Sequence, residues 1–356
     1  MTTAPDTGAA ARALGGQRGV STPPSPEAVA DPQVRFPAVD YIKAAAIVAV
    51  VFTHGGVAPW SPEWSSWDYA LRRSWVSFHV PSFLIVSGFL YARVSPVDLS
   101  GVGARLGRVL LPYLIASAVV FLTPFALDSG FRGIATALAT ASALRIYYYI
   151  FAFACCTPLI WPLSRMGRVI PVVVLAALVV YFVALPFYPR MRLVWSLFWI
   201  MRDPLAMFYF GYFIVGWLAA LWLPGIAALC DRYRGVAWLL CVAGIGIWVG
   251  TQAGQFFPAS VQLFRPIYTL GVIGSVVFLT RRLRVPSAVR FLSEATLPIY
   301  LWHHVFQLAT LDYTLAWHPA ARILAMFAVG IGGSVAVCLL SRRLLGGPWS
   351  RRLIGV

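Results

Sequence analysis

From Arg35 onward the chain is a succession of apolar runs, each near twenty residues long and separated by short polar breaks. About twenty consecutive apolar residues are what a helix needs to cross the hydrocarbon core of a bilayer. We place ten such runs, at about 37–57, 75–92, 108–127, 144–163, 169–187, 205–223, 235–252, 262–280, 296–312 and 321–341. The runs are continuously apolar rather than alternating, which excludes a transmembrane β-barrel. Composition agrees, because 60% of the residues are hydrophobic and 11% charged, less than half the charged share of about 25% found in a soluble domain. The predicted fold class is therefore all-α: a polytopic membrane helix bundle of about ten transmembrane helices, with the lipid bilayer as its solvent.

Positive charge gives the bundle a direction. The chain has 28 Lys+Arg against 12 Asp+Glu, and every cation except Lys43 is an arginine. They stand singly or in pairs between apolar runs rather than in clusters on a hydrophilic surface, so a nucleic-acid partner is not expected. Ten spans put 18 arginines, including those near both termini, on one side and 9 on the other. Cytoplasmic loops carry the excess of Lys and Arg. Both termini are thus predicted in the cytoplasm, as an even number of spans requires, and the protein in the cytoplasmic (inner) membrane. Residues 1–34 are rich in Ala, Gly, Pro, Ser and Thr and lack aromatic residues and an apolar h-region. They are predicted to be a disordered cytoplasmic tail and not a signal peptide. Residues 35–345 then form the transmembrane domain and 346–356 a short basic cytoplasmic tail. The five cysteines lie in or beside apolar stretches with no CxxC and no Cys/His ligand spacing. They are read as small buried hydrophobes, with neither a disulfide framework nor a metal site expected. No internal repeat of the transporter kind is found.

An ionisable group inside a span costs roughly 2.5–3.5 kcal/mol on insertion scales and asks for a reason. The first span holds three polar groups: Asp40, Lys43 and His54. Eleven residues at about 100° each bring His54 within about 20° of Lys43 around the helix, and roughly 16 Å along it. Asp40 precedes Lys43 by one turn. The three form one stripe, with Asp40 and Lys43 near the cytoplasmic face and His54 towards the far leaflet. The plain structural reading is an Asp40–Lys43 pair at the interface and a His54 bonded to a backbone carbonyl.

The stripe resembles the acyltransferase-3 superfamily of integral-membrane acyltransferases, which carries Arg-x10-His in its first span, usually preceded by Asp. Lys43-x10-His54 has lysine in place of the arginine, a variant similar to the branch around fucose 4-O-acetylase. Further matches are Phe78-His79-Val80-Pro81-Ser82-Phe83 through Ser87-Gly88-Phe89-Leu90, similar to FHxPLFFxxSGxL, and Arg105-Leu106-Gly107-Arg108 followed by Leu111-Pro112-Tyr113. Tyr212 to Gly216 and Ile299-Tyr300-Leu301-Trp302-His303 resemble two later family segments. The set runs from residue 40 to about 304. Lys43 for Arg and Ser82 for an apolar residue are the departures.

The resemblance implies an O-acyltransferase that moves an acyl group, expected to be acetyl, from cytosolic acyl-CoA to a hydroxyl of a cell-surface or lipid-linked glycan. Lys43, Arg105 and Arg108 would offer positive potential to the phosphates of acetyl-CoA, with Ser87 and Gly88 near its pantetheine. His54 would be the general base, since an imidazole with a reference pKa near 6.5 is mostly neutral at working pH. Asp40 would hold Lys43. His79, Tyr300 and His303 would contact substrate, whereas His304 is read as a satisfied core residue. Trp64 stands with Trp60, Trp67, Glu63 and Asp68 in the first external loop, where such groups either stack on sugar rings or form the aromatic belt at headgroup depth. Asp203 beside Arg202 reads as a loop pair. Two alternatives stay open: acylation of a small hydrophobic metabolite, and a proton- or solute-coupled transporter using His54, Asp40 and His303. No residue pattern fixes the oligomeric state.

Overall fold

A computed structural model of the chain describes residues 35–57, 61–68, 72, 77–94, 98–125, 131–167, 169–184, 205–254 and 261–356. The expected tail 1–34, Trp60, and the pair Arg202 and Asp203 lie outside the described residues. Among the described residues all regular structure is helical. In chain order the α-helices are α1 (Pro37–His54), α2 (Ser66–Asp68), α3 (His79–Ala92), α4 (Leu99–Phe121), α5 (Phe131–Ala139), α6 (Tyr148–Cys156), α7 (Ile160–Leu163) and α8 (Val169–Ala184). They continue as α9 (Leu205–Leu221), α10 (Leu223–Arg232), α11 (Arg234–Gly254), α12 (Val261–Thr280), α13 (Ser287–Glu294), α14 (Thr296–Thr314) and α15 (Pro319–Leu353).

Four stretches are long and apolar enough to cross a membrane: α1, α4, Arg145–Leu163 and α15. A fifth is added if Tyr209–Leu221 and Leu223–Arg232, bent by 79° at Trp222, count as one span. His79–Ala92, Val169–Val180, Arg234–Ile247 and Arg265–Thr280 are shorter apolar helices. Wide apolar faces are bare, for example Val173 and Val180 on α8 and Val236, Leu239 and Leu240 on α11. An apolar surface of that extent suits hydrocarbon and not water.

Several element boundaries differ from the sequence reading. The third run starts earlier, at Leu99, because Asp98 caps the helix by accepting from the Gly101 amide at 2.8 Å. Arg105 and Arg108 are therefore part of a helix rather than of a loop. The stretch Arg145–Leu163 is broken into 3-10 and α pieces where Pro158 and Pro162 remove amide donors. Residues 346–356, expected as a short basic tail, fold back against the bundle. Gly346 takes φ 75°, a left-handed turn that a side chain would strain. The Ser341 and Ser350 hydroxyls then meet at 2.8 Å, and Val356 joins the main core while Arg351 and Arg352 stay exposed.

That core gathers Ile47, Val50 and Val51 of α1, Tyr113 and Ala116 of α4, Tyr147 and Ile150, and Ile299 and Leu301 of α14. Tyrosine hydroxyls satisfied on backbone carbonyls tie it together: Tyr147 donates to Leu301 at 2.8 Å and Tyr113 to Leu138 at 3.1 Å. The neighbouring contact of α3 with α9 is backbone to backbone. A Cβ on Gly88 would lie 2.0 Å from the Phe213 carbonyl oxygen, and one on Gly216 would lie 1.8 Å from that of Ile85. Small residues are what allow such an approach in lipid, where packing rather than hydrophobicity joins helices. Gly216→Ala is accordingly expected to cost about 1–3 kcal/mol, since the obstructing atom is backbone and cannot rotate away. Thermal unfolding in detergent should register that loss.

Candidate active site

The C-terminal end of α1 meets the middle of α14, and the polar residues of both helices converge there. His54 Nδ1 lies 2.8 Å from the Val50 carbonyl oxygen. A carbonyl can only accept, so Nδ1 carries the proton and Nε2 keeps its lone pair. His303 repeats the arrangement, with Nδ1 2.9 Å from the Ile299 carbonyl. Its Nε2 is then an acceptor, 3.4 Å from His54 Nδ1. The His54 proton is thus shared between Val50 and His303, which fixes tautomer and ring plane together. The carbonyl bond of the plain structural reading is present, and it leaves Nε2 ready to take a proton.

Further imidazoles complete the cluster. The ring of His304 lies 5.5 Å from that of His54, centroid to centroid, and its Nδ1 donates to Gln307 Oε1 at 3.3 Å. Gln307 also donates to the Val51 carbonyl at 2.8 Å, pinning α14 to α1. Gly330 makes room for this bond, because a Cβ there would lie 2.9 Å from Gln307 Nε2. His79 is buried at the start of α3, within electrostatic range of His54 and His303. Four of the five histidines of the chain therefore share one region. Among the described residues no group of three or more His, Cys, Asp or Glu side chains is disposed to hold a metal ion.

At the other end of α1 the partners differ from the expected ones. Asp40 is bound by Arg35 (Nε to Oδ2, 2.7 Å) and by the Ser293 hydroxyl at 2.6 Å. Arg35 also reaches Glu294 at 3.2 Å. No direct ion pair joins Lys43 to Asp40, whose carboxylate accepts from Arg35 and Ser293, although the two charges still attract each other. Arg35 lies just before the helix and folds back onto Asp40. Lys43 is half-buried.

The remaining candidates divide. Arg105 stacks on Tyr91 at 4.8 Å, and its Nη1 is buried without a hydrogen-bond partner. Arg108 is exposed and donates to the Ala104 carbonyl at 3.3 Å. Ser87 donates to the Phe83 carbonyl at 2.7 Å, and Gly88 is filled by the backbone of α9, so packing accounts for it and it is not carried into a donor site. Tyr300 is buried, donates its hydroxyl to the Ile146 carbonyl and packs its ring on Tyr149. Its hydroxyl is used inside the core instead of on a substrate. Trp64 lies under the Arg72 guanidinium at 5.2 Å, which occupies one face of its ring.

The model of an acyltransferase domain, acyltransferase-3, matches residues 36–342. The chain belongs to the acyltransferase-3 family. No curated protein and no solved structure gives a match. The acyltransferase-3 match spans α1 through most of α15, so it includes both ends of the polar stripe and the histidines of α14. Acyl transfer between a thioester and a hydroxyl needs a group that removes the hydroxyl proton, and His54 Nε2 has the lone pair for it.

Sequence reasoning missed the groups that hold this acyltransferase-3 site in place. Gln307, Arg35, Arg72 and Arg322 belong to no motif of the sequence, and Asp68 reads there as a loop acid. A signal existed for Gln307: it follows His303 and His304 by one turn and shares their face. Arg72 and Arg322 had none, because loop and span-edge arginines look alike in sequence.

Proposed function

We propose that the protein is a ten-span O-acyltransferase of the cytoplasmic membrane, with both termini inside, that carries an acetyl group from cytosolic acetyl-CoA to a hydroxyl of a cell-surface or lipid-linked glycan. The observation that carries this reading is the His54 imidazole, held as the Nδ1–H tautomer at the far end of a helix whose near end bears Lys43. His54 Nε2 takes the proton of the acceptor hydroxyl as its oxygen attacks the thioester carbonyl carbon. The carbon–sulfur bond then breaks, and the imidazolium returns the proton to the departing thiolate, so that an ester and the CoA thiol are released. The carbonyl of Val50 and Nε2 of His303 accept from Nδ1 throughout and favour the imidazolium while it exists.

Lys43, with Arg105 and Arg108, supplies positive charge for the donor phosphates. Lys43 and His54 are roughly 16 Å apart along the helix, so the thioester arm is drawn inward from the phosphate site towards the imidazole. Asp40, tied to Arg35, steadies the entry of α1. His79 and His303 border the acceptor. Lys43→Ala is expected to raise KM for acetyl-CoA roughly tenfold or more, the worth of one charged hydrogen bond, with kcat little changed. Lys43→Arg should stay near wild type. The test is transfer of label from acetyl-CoA to the glycan and lipid-linked sugar fractions of isolated membranes. Equal loss in both Lys43 variants contradicts the electrostatic role, and label in neither fraction contradicts the glycan acceptor.

A further inference from the structure

α1 ends at His54 and is followed by Gly55-Gly56-Val57, and the carbonyls of a final helical turn have no partners within the helix. Arg72 partners one of them, and one carbonyl of the segment that follows, from outside. Its Nε donates to the Thr53 carbonyl at 3.0 Å and its Nη1 to that of Val57 at 2.9 Å. Asp68 holds Arg72 in turn, accepting from Nη1 at 2.7 Å. The other carboxylate oxygen accepts from the Ser65 hydroxyl at 2.7 Å, the Ser65 amide at 3.1 Å and Arg322 Nη2 at 3.3 Å. Arg322, near the start of α15, also donates to the Glu63 carbonyl at 3.4 Å and the Leu315 carbonyl at 3.5 Å. One carboxylate thereby joins the first external loop, the linker after α14, and α15 to the end of α1.

All three charged groups are withdrawn from water, at 0% exposure for Asp68, 6% for Arg72 and 2% for Arg322. The glycines beside His54 are shaped to this network. Gly56 has φ 155°, and a Cβ there would lie 2.5 Å from Arg72 Nη1. A Cβ on Gly55 would lie 3.1 Å from the Ile323 carbonyl oxygen. Burying two guanidinium groups on one carboxylate is a costly way to close a loop, and apolar residues of similar volume often do so with no loss of stability. What the ions add is geometry. A guanidinium presents a rigid planar fork that engages two carbonyls and a carboxylate at once, and an ammonium cannot match it.

We propose that Arg72, held by Asp68 and Arg322, is a positioning residue for acyl transfer: it locks the last turn of α1 and so aims His54 Nε2 at the acceptor hydroxyl. The Val50 carbonyl that fixes the imidazole belongs to that same turn, so fraying of the turn swings ring and carbonyl together. A displacement of about 1 Å at a reacting group can cost a factor of about a hundred in rate. The proposal rests on His54 being the base.

The test measures thiol release from acetyl-CoA by the full-length protein in detergent, for Arg72→Lys and Asp68→Asn, each alone and combined with His54→Ala. Arg72→Lys should lower kcat roughly tenfold to a hundredfold with KM for acetyl-CoA unchanged. Asp68→Asn, which keeps one acceptor oxygen, should act in the same direction but less. With His54 replaced, neither change should lower the residual rate further, because nothing remains to be aimed. Wild-type kcat in Arg72→Lys, or an equal loss with and without His54, would overturn the proposal. Failure of both single variants to give a monodisperse folded protein would assign the network to folding alone and overturn it too. If His54→Ala keeps full activity by itself, the base assignment fails, an outcome separate from failure of the brace.

Discussion

Replacing His54 by alanine is expected to reduce thioester turnover by about 10²–10⁴-fold, the contribution of a positioned general base. The protein should remain folded. His54 sits at the helix terminus and donates to a carbonyl four residues back, so removing the ring leaves the backbone ladder intact and the α1–α14 contact to Gln307 and Val51. KM for acetyl-CoA should change little, because the site proposed for the donor phosphates is at the other end of α1. A His54→Ala protein that loses activity only by losing donor affinity would show that the imidazole binds the donor and does not move a proton. His303→Ala is the companion case: it removes one of two acceptors of the His54 proton and should cost less than removing His54.

The largest expected stability effect belongs to Asp68→Ala, at about 3–5 kcal/mol, because it leaves Arg72 and Arg322 buried without their counter-charge. Thermal unfolding in detergent should drop accordingly. The loss reflects stranded charge rather than the worth of the ion network. Replacing all three residues by apolar ones of similar volume should therefore restore much of the stability while activity stays low. The pH dependence follows from the same contacts. Burial pushes the Asp68 carboxyl up, but the Ser65 and Arg72 hydrogen bonds and the Arg72 charge outweigh it and hold it below the usual carboxylate range. With the folded value depressed, the contribution of Asp68 is complete above the unfolded value of about 3.9 and is lost as pH falls through the folded value. Stability should be flat in this respect from pH 7 to about 5 and decline below about 4, and Asp68→Ala should lack that decline.

The helical class, the apolar stretches and the polar stripe of α1 were legible because hydropathy and helical phase are local properties of a sequence. Helix starts were less so: α4 begins at Leu99 because of the single cap Asp98, and its first turns hold Arg105 and Arg108, which polarity alone puts in a loop. Partners across the fold were not legible. Asp40 and Lys43 share a stripe, yet the carboxylate pairs with Arg35 and Ser293, a contact that depends on where α13 docks. Tyr300 sits on the same helix face as His303, but the Ile146 carbonyl claims its hydroxyl. Gly88 lies in the most recognisable stretch of α3, and the reason for it is a backbone oxygen of α9.

We propose that the His54 imidazole, at the C-terminal end of α1, takes the proton of an envelope hydroxyl as that hydroxyl receives an acetyl group from a cytosolic donor. Mass spectrometry of surface glycans tests it most directly, comparing cells that hold equal membrane levels of the wild-type protein and of His54→Ala. Acetyl-sized additions should be present with the wild type and absent with the variant. The same additions in both samples would contradict the account.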